Sequence, residues 1–132
     1  MLKVLMACVW LLGSAYGAIA QAASVVFLNP GRSSETFWVS YSQFMQAAAK
    51  DLGLDLRVRY SERNGQNTLQ QAREALQGPN SPDYLVVVNE QYIAPQILRM
   101  AQGSPVKLLI VNNALTPDQV QLLDAGKYPN WI

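Results

Sequence analysis

The chain is 132 residues long and half hydrophobic, with ten basic and nine acidic residues, no histidine and a single cysteine. That length allows one domain at most. Without histidine there is no histidine-based triad and no zinc or haem site of the usual kind, and one cysteine makes neither an internal disulfide nor a CxxC pair, so no cofactor is expected and catalysis is disfavoured.

Lys3 supplies a short positive region, Val4 to Leu12 (VLMACVWLL) an apolar stretch, and Ala18-Ile19-Ala20 an A-x-A site before Gln21, which together read as a cleaved secretory signal peptide over residues 1–20. Gly13, Ser14, Tyr16 and Gly17 interrupt the run before the roughly 20 apolar residues of a spanning helix, and Cys8 comes too early for a lipoprotein site. The expected location is periplasmic, with no stable membrane insertion after cleavage. From Gln21 onward acidic and basic residues balance and no run of like charge appears, so neither nucleic acid nor a membrane surface is an expected partner. A cysteine-free exported chain must be held by its apolar core.

Beyond Ser24, apolar runs alternate with stretches of helical period. Strands are expected at Val25 to Leu28, Leu54 to Tyr60, Tyr84 to Val88 and Val106 to Val111. The first, third and fourth are near-continuous Val/Ile/Leu runs, as in parallel strands covered on both faces. The second, LDLRVRY, alternates strictly and suits an edge. The first helix places Phe37, Trp38, Tyr41, Phe44, Met45, Ala48, Ala49 and Leu52 at spacings of three and four as a largely core stripe, with Gly53 as its cap. A second helix is expected from Thr68, in a Thr-x-x-Gln capping box with Gln71, to Gly78-Pro79. A third has Pro95 in its first turn and ends at Gly103. A fourth has Thr116 as cap, Pro117 at its first position, Gln119 two residues on and Gly126 as terminator.

The order β-α-β-α-β-α-β-α requires parallel pairing through right-handed crossovers: an α/β fold, an open parallel sheet with helices on both faces. Ligands of such sheets meet the loops at the carboxyl ends of the strands. The segment Tyr128 to Ile132 ends on two large apolar residues where another strand is due, which reads as a truncated chain.

The first loop, Asn29 to Thr36, lacks both G-x-G-x-x-G and the P-loop pattern, so no nucleotide site is supported. Asn29 and Asn89 stand where a receiver domain needs carboxylates for Mg²⁺, which disfavours phosphotransfer. What the loops offer is amides and aromatic faces: Asn29 with Phe37 and Trp38, then Asn64, then Asn89, Glu90, Gln91 and Tyr92, then Asn112 and Asn113. Amides donate and accept, and aromatic faces stack on the C–H face of a sugar ring. Plainer roles compete: core packing for Phe37 and Trp38, turns or caps for Ser33, Ser34 and Asn64, strand ends for Asn112 and Asn113, loop solvation for Glu90. Arg57, Arg59 and Arg63, with Asp55 and Glu62 close by, read as a solvated edge.

The run VVFLNPGRSSETFWVSYSQFMQAAAKDLGLDLRVRY, with YLVVVNEQY and KLLIVNNALT, resembles the amino-terminal lobe of type I periplasmic binding proteins, the sugar receptors related to ribose-binding protein and to LacI-type sensor domains. The resemblance covers residues 24–132, and residues 21–132 are accordingly expected to form that lobe, incomplete. It implies a sugar stacked on Phe37 and Trp38, with hydroxyl contacts from Asn64, from Asn89 or Glu90, and from Asn112. Asn112-Asn113 replaces the family's frequent Asp-Arg pair, which departs from simple ribose or galactose specificity. It further implies closure of a two-lobed cleft and a membrane partner, either an ABC permease or a sensor kinase or chemoreceptor. The competing readings are an exported α/β enzyme whose catalytic residues lie in a missing carboxyl-terminal part, with Glu90 or Glu35 as the one local acid/base candidate, and a sensory module that binds no small molecule and only docks to a kinase.

Overall fold

The computed structural model describes residues 21–123 and 127–132. The leader features around Lys3, Cys8 and Ala18 to Ala20, and the terminator assigned to Gly126, lie outside the described residues. Four strands, β1 (Ser24–Asn29), β2 (Asp55–Tyr60), β3 (Tyr84–Val88) and β4 (Lys107–Val111), alternate with four helices, α1 (Thr36–Asp51), α2 (Gly65–Gln77), α3 (Ala94–Met100) and α4 (Pro117–Leu123). A short 3₁₀ turn, Glu90–Tyr92, precedes α3. All strand pairs are parallel, in the order β2-β1-β3-β4. The order reverses between β1 and β3, so the chain leaves these two neighbours in opposite directions and a crevice opens above their carboxyl ends.

Strand alternation sorts the core into two layers. Val25 and Phe27 of β1 with Val86 and Val88 of β3 face α1 and meet Trp38. Val26, Leu28, Leu85 and Val87 point to the other face, against Leu69, Ala72 and Leu76 of α2 and Ile97 and Leu98 of α3, with Leu123 of α4 in the same cluster. Helices thus cover both faces, as the continuous apolar runs required. β2 lies at an edge, as its alternation implied: Leu56 and Val58 pack toward α1, Arg57 is exposed, and Arg59 pairs with Glu74 of α2 at 2.6 Å. Beyond β4 the chain returns alongside it. Leu108 N donates to Asn130 O at 2.8 Å, Ile132 N donates to Leu108 O at 3.0 Å, and Trp131 pairs in parallel with Leu108, in the place where a further strand was due.

Helix ends follow local chemistry. Gly53, at φ +66°, closes α1 while Leu54 N reaches Ala49 O at 2.8 Å, a left-handed cap that glycine adopts without a Cβ penalty. In α4, Gln119 N donates to Thr116 Oγ1 at 3.3 Å and Thr116 N to Gln119 Oε1 at 3.0 Å, a reciprocal box around the cap expected at Thr116.

Two expectations are corrected. α2 begins at Gly65, not Thr68: the Asn64 side chain accepts from Gln66 N and Asn67 N, and a short amide before a glycine makes a cap as readily as a turn. Thr68 is buried within the helix, and Gln71 turns away from it, donating to Tyr60 O at 3.0 Å and accepting from Ser61 Oγ at 3.1 Å. The α1 stripe is also narrower than read. Its buried line runs through Trp38, Ser42 and Ala49 with Met45 between, while Phe37, Phe44 and Leu52 flank it and are exposed.

Candidate functional site

The carboxyl-end loops of β1 and β2 are zipped together by backbone hydrogen bonds. Ser61 N donates to Asn29 O at 2.8 Å, Glu62 N to Gly31 O at 3.0 Å and Arg63 N to Pro30 O at 3.0 Å. To make these contacts Glu62 and Arg63 adopt φ of 54° and 60°. Such left-handed non-glycine residues are uncommon and persist where their surroundings over-determine them. Gln91, Tyr92 and Asn112 share the conformation, so all five non-glycine residues with positive φ among the described residues follow β2, β3 or β4 at one end of the sheet.

Asn29 organises the first loop from within. It is fully buried and donates through Nδ2 to Trp38 O at 3.0 Å and Ser42 Oγ at 2.8 Å, while its Oδ1 accepts from Gly31 N at 2.9 Å. This amide ties the strand end to the first turn of α1. Glu35, the residue before α1, makes no side-chain cap, and Ser33 and Ser34 form a turn rather than a cap. Trp38 packs so close to Gly31 that a Cβ there would lie 2.0 Å from its Cδ1. Trp38 is only 3% exposed, whereas Phe37 is 57% exposed and stands edge-on to it, centroids 4.9 Å apart and planes at 83°. Of the two aromatics, Phe37 therefore presents a face to solvent and Trp38 is its seat.

Arg63 joins three loops. Its Nε donates to Glu35 Oε2 at 2.9 Å, its Nη2 to Glu35 Oε1 and its Nη1 to Glu90 Oε1, while the guanidinium lies 5.9 Å from the centroid of the Trp38 ring. All three charged side chains are about one-third exposed or less, so the cluster lines the surface without leaving it. The bidentate bond from Arg63 holds the Glu35 carboxyl below its ordinary range, and the Arg63 guanidinium is raised, first by Glu35 and then by the charge of Glu90. Nearby, Ser33 N donates to Glu62 Oε1 at 3.0 Å.

The two strand-end amides differ. Asn89 is buried and fully engaged: Nδ2 donates to Ala114 O at 3.0 Å and Gln119 Oε1 at 2.8 Å, and Oδ1 accepts from Ala94 N at 3.1 Å. It braces the loops after β3 and β4 against each other. Asn112 is exposed and donates to Asn113 Oδ1 at 3.2 Å. Asn64 is exposed as the cap of α2.

Phe37, Trp38, Asn64, Asn89, Glu90 and Asn112 thus all lie at the carboxyl end of the sheet. Trp38 and Glu90 meet at Arg63, and Phe37 stands against the Trp38 ring. Placing Arg63 on a solvated edge with Arg57 and Arg59 is corrected: β2 ends at Tyr60, so Arg63 lies in the next loop, off the strand's alternation. That boundary was the signal that separates it from the two strand arginines. Among the described residues no group of three histidine, cysteine, aspartate or glutamate side chains could hold a metal ion, and no helix is long and apolar enough to cross a membrane.

An open parallel sheet with helices on both faces, its strand order reversing between β1 and β3, matches a lobe of a periplasmic binding protein. The chain is similar, at 73% identity and a TM-score of 0.70, to a solved periplasmic sugar-binding protein from Pseudomonas fluorescens. The match covers 75% of this chain and spans 30% of the length of that one. No protein-family model and no curated relative matches the chain.

Proposed function

We propose that this chain forms the amino-terminal lobe of a periplasmic receptor for a sugar or a similar polyhydroxylated molecule. The observation that carries the proposal is the exposed Phe37 seated on Trp38, whose ring the Arg63–Glu35–Glu90 cluster abuts, in a chain 73% identical over 75% of its length to a periplasmic sugar-binding protein. A sugar ring has an apolar C–H face and a rim of hydroxyls. The first suits Phe37, and the second suits partly exposed carboxylates, a guanidinium and the amides of Asn64 and Asn112.

Trp38 and Asn89 serve this site from beneath, one seating Phe37 and the other fixing the loops that carry Glu90 and Asn112. Binding is non-covalent and proceeds by closure of a cleft over the ligand. Residues 1–20 act as a cleaved export signal, and the bound receptor engages an ABC permease or a sensor kinase or chemoreceptor. Arg63 holds Glu35 and Glu90 in place for hydrogen bonding, so neither is assigned acid/base chemistry.

The test is calorimetry and thermal shift of the full-length receptor that carries this lobe against D-ribose, D-galactose, D-glucose, D-xylose and myo-inositol. At least one sugar should raise the melting temperature, and Phe37→Ala should remove that rise while leaving the unliganded melting temperature nearly unchanged. Absence of any response across the panel refutes the reading.

A further inference from the structure

We propose that Tyr92 is a second aromatic contact for the ring of the bound sugar, held at the mouth of the crevice by a strained turn built for that purpose. The inference rests on the receptor reading above and adds a residue that the first aromatic pair does not include.

Tyr92 is 71% exposed, more than Phe37, although it sits between two buried segments, Val88 to Asn89 and Ala94 to Pro95. At this exposure the Tyr92 ring contributes little buried area to the fold. The backbone beneath it is also unfavourable. Gln91 and Tyr92 have φ of 54° and 57°, two consecutive left-handed residues, neither of them glycine. An aromatic residue is poorly suited to that conformation, and two in succession hold only if neighbouring groups impose them.

Those groups come from both sides. The Gln91 side chain donates to Arg63 O at 3.3 Å, in the loop after β2, and the Gln119 side chain donates to Tyr92 O at 3.3 Å from α4. Gln119 also accepts from Asn89 Nδ2 at 2.8 Å, so the turn is tied to the amide that braces β3 against β4. Three loops therefore cooperate to keep one exposed ring at the sheet end that carries Phe37. Strain concentrated under an exposed side chain is expected where that side chain meets a ligand. The class of ligand follows from the residue: a phenol offers a flat face to C–H groups and a hydroxyl to a sugar oxygen, which fits a cyclic polyol.

The experiment measures sugar affinity by calorimetry for the full-length receptor that carries this lobe, unmodified and as Tyr92→Phe and Tyr92→Ala, using whichever of the five probes named above binds. Tyr92→Ala is expected to weaken binding about tenfold, and Tyr92→Phe, which keeps the face, to weaken it by about threefold or less. Melting temperatures of both should match the unmodified protein, because the ring is exposed. Unchanged affinity in Tyr92→Ala, with sugar binding intact in the unmodified receptor, overturns this proposal alone. Failure of every probe to bind the unmodified receptor overturns it together with the receptor reading.

Discussion

Replacing Gly31 with alanine probes the packing that seats the aromatic pair. Gly31 is here for room: a Cβ built on its backbone lies 2.0 Å from Trp38 Cδ1, 2.2 Å from Cγ and 2.6 Å from Cβ. These atoms are the root of the indole, not a flexible tip, and the ring behind them is locked among Val25, Phe27, Val86 and Val88. The contact must open by about an ångström or more, and forcing an extra methyl into a packed core costs about 1–3 kcal/mol. Each kcal/mol lowers the melting temperature of a small domain by about 4–8 °C. The displacement reaches the site as well, since Phe37 stands on Trp38 and the Arg63 guanidinium lies over it. Gly31→Ala should therefore melt at least 4 °C lower by circular dichroism and bind its sugar more weakly by calorimetry. A variant that melts within 1 °C of the parent and binds the sugar unchanged would refute both the tight seat and its link to the site.

Two further outcomes separate structural from ligand roles. Asn64→Ala removes the acceptor for two backbone N–H groups and should cost about 0.5–2 kcal/mol in denaturant melts. Asn64→Asp keeps that acceptor but exchanges the donor amide for a charged carboxylate, so it should retain stability yet weaken sugar binding; unchanged affinity would leave Asn64 as a helix cap alone. The Glu35 carboxyl is lowered in the folded state by the Arg63 hydrogen bond, so the folded protein takes up this proton later than the unfolded chain as pH falls. The stabilisation is therefore present above the unfolded carboxyl's pKa and is lost as pH falls through the lower folded value. In melts across the acid range, Arg63→Met should flatten this limb without abolishing it, because Glu74 and Asp83 are lowered by other partners. An acid limb identical to the parent's would contradict the proposed coupling.

Local pattern was enough to read the layers of this protein. Continuous apolar runs marked β1 and β3, covered on both faces, though the similar run of β4 lies half-buried at the other sheet edge; the alternation of LDLRVRY marked its edge, and Gly53 and the Thr116–Gln119 pair marked helix ends, because each signal depends on residues within a few positions of one another. The same logic located the site at the carboxyl ends of the strands. It did not distribute the roles within it. Whether Phe37 or Trp38 is exposed turns on Gly31 and on the bonds of Asn29, and whether Asn89 is available turns on Ala114 and Gln119, up to thirty positions away.

Arg63 shows the limit most clearly. In sequence it follows two strand arginines, Arg57 and Arg59, four positions after the second. In the fold its loop is zipped to the one after β1 and faces the one after β3, where Glu35 and Glu90 meet it. Periodicity specifies which side of its own element a residue takes. Only the parallel order β2-β1-β3-β4, which brings distant loops to one end of the sheet, decides which charges become partners and which aromatic faces water.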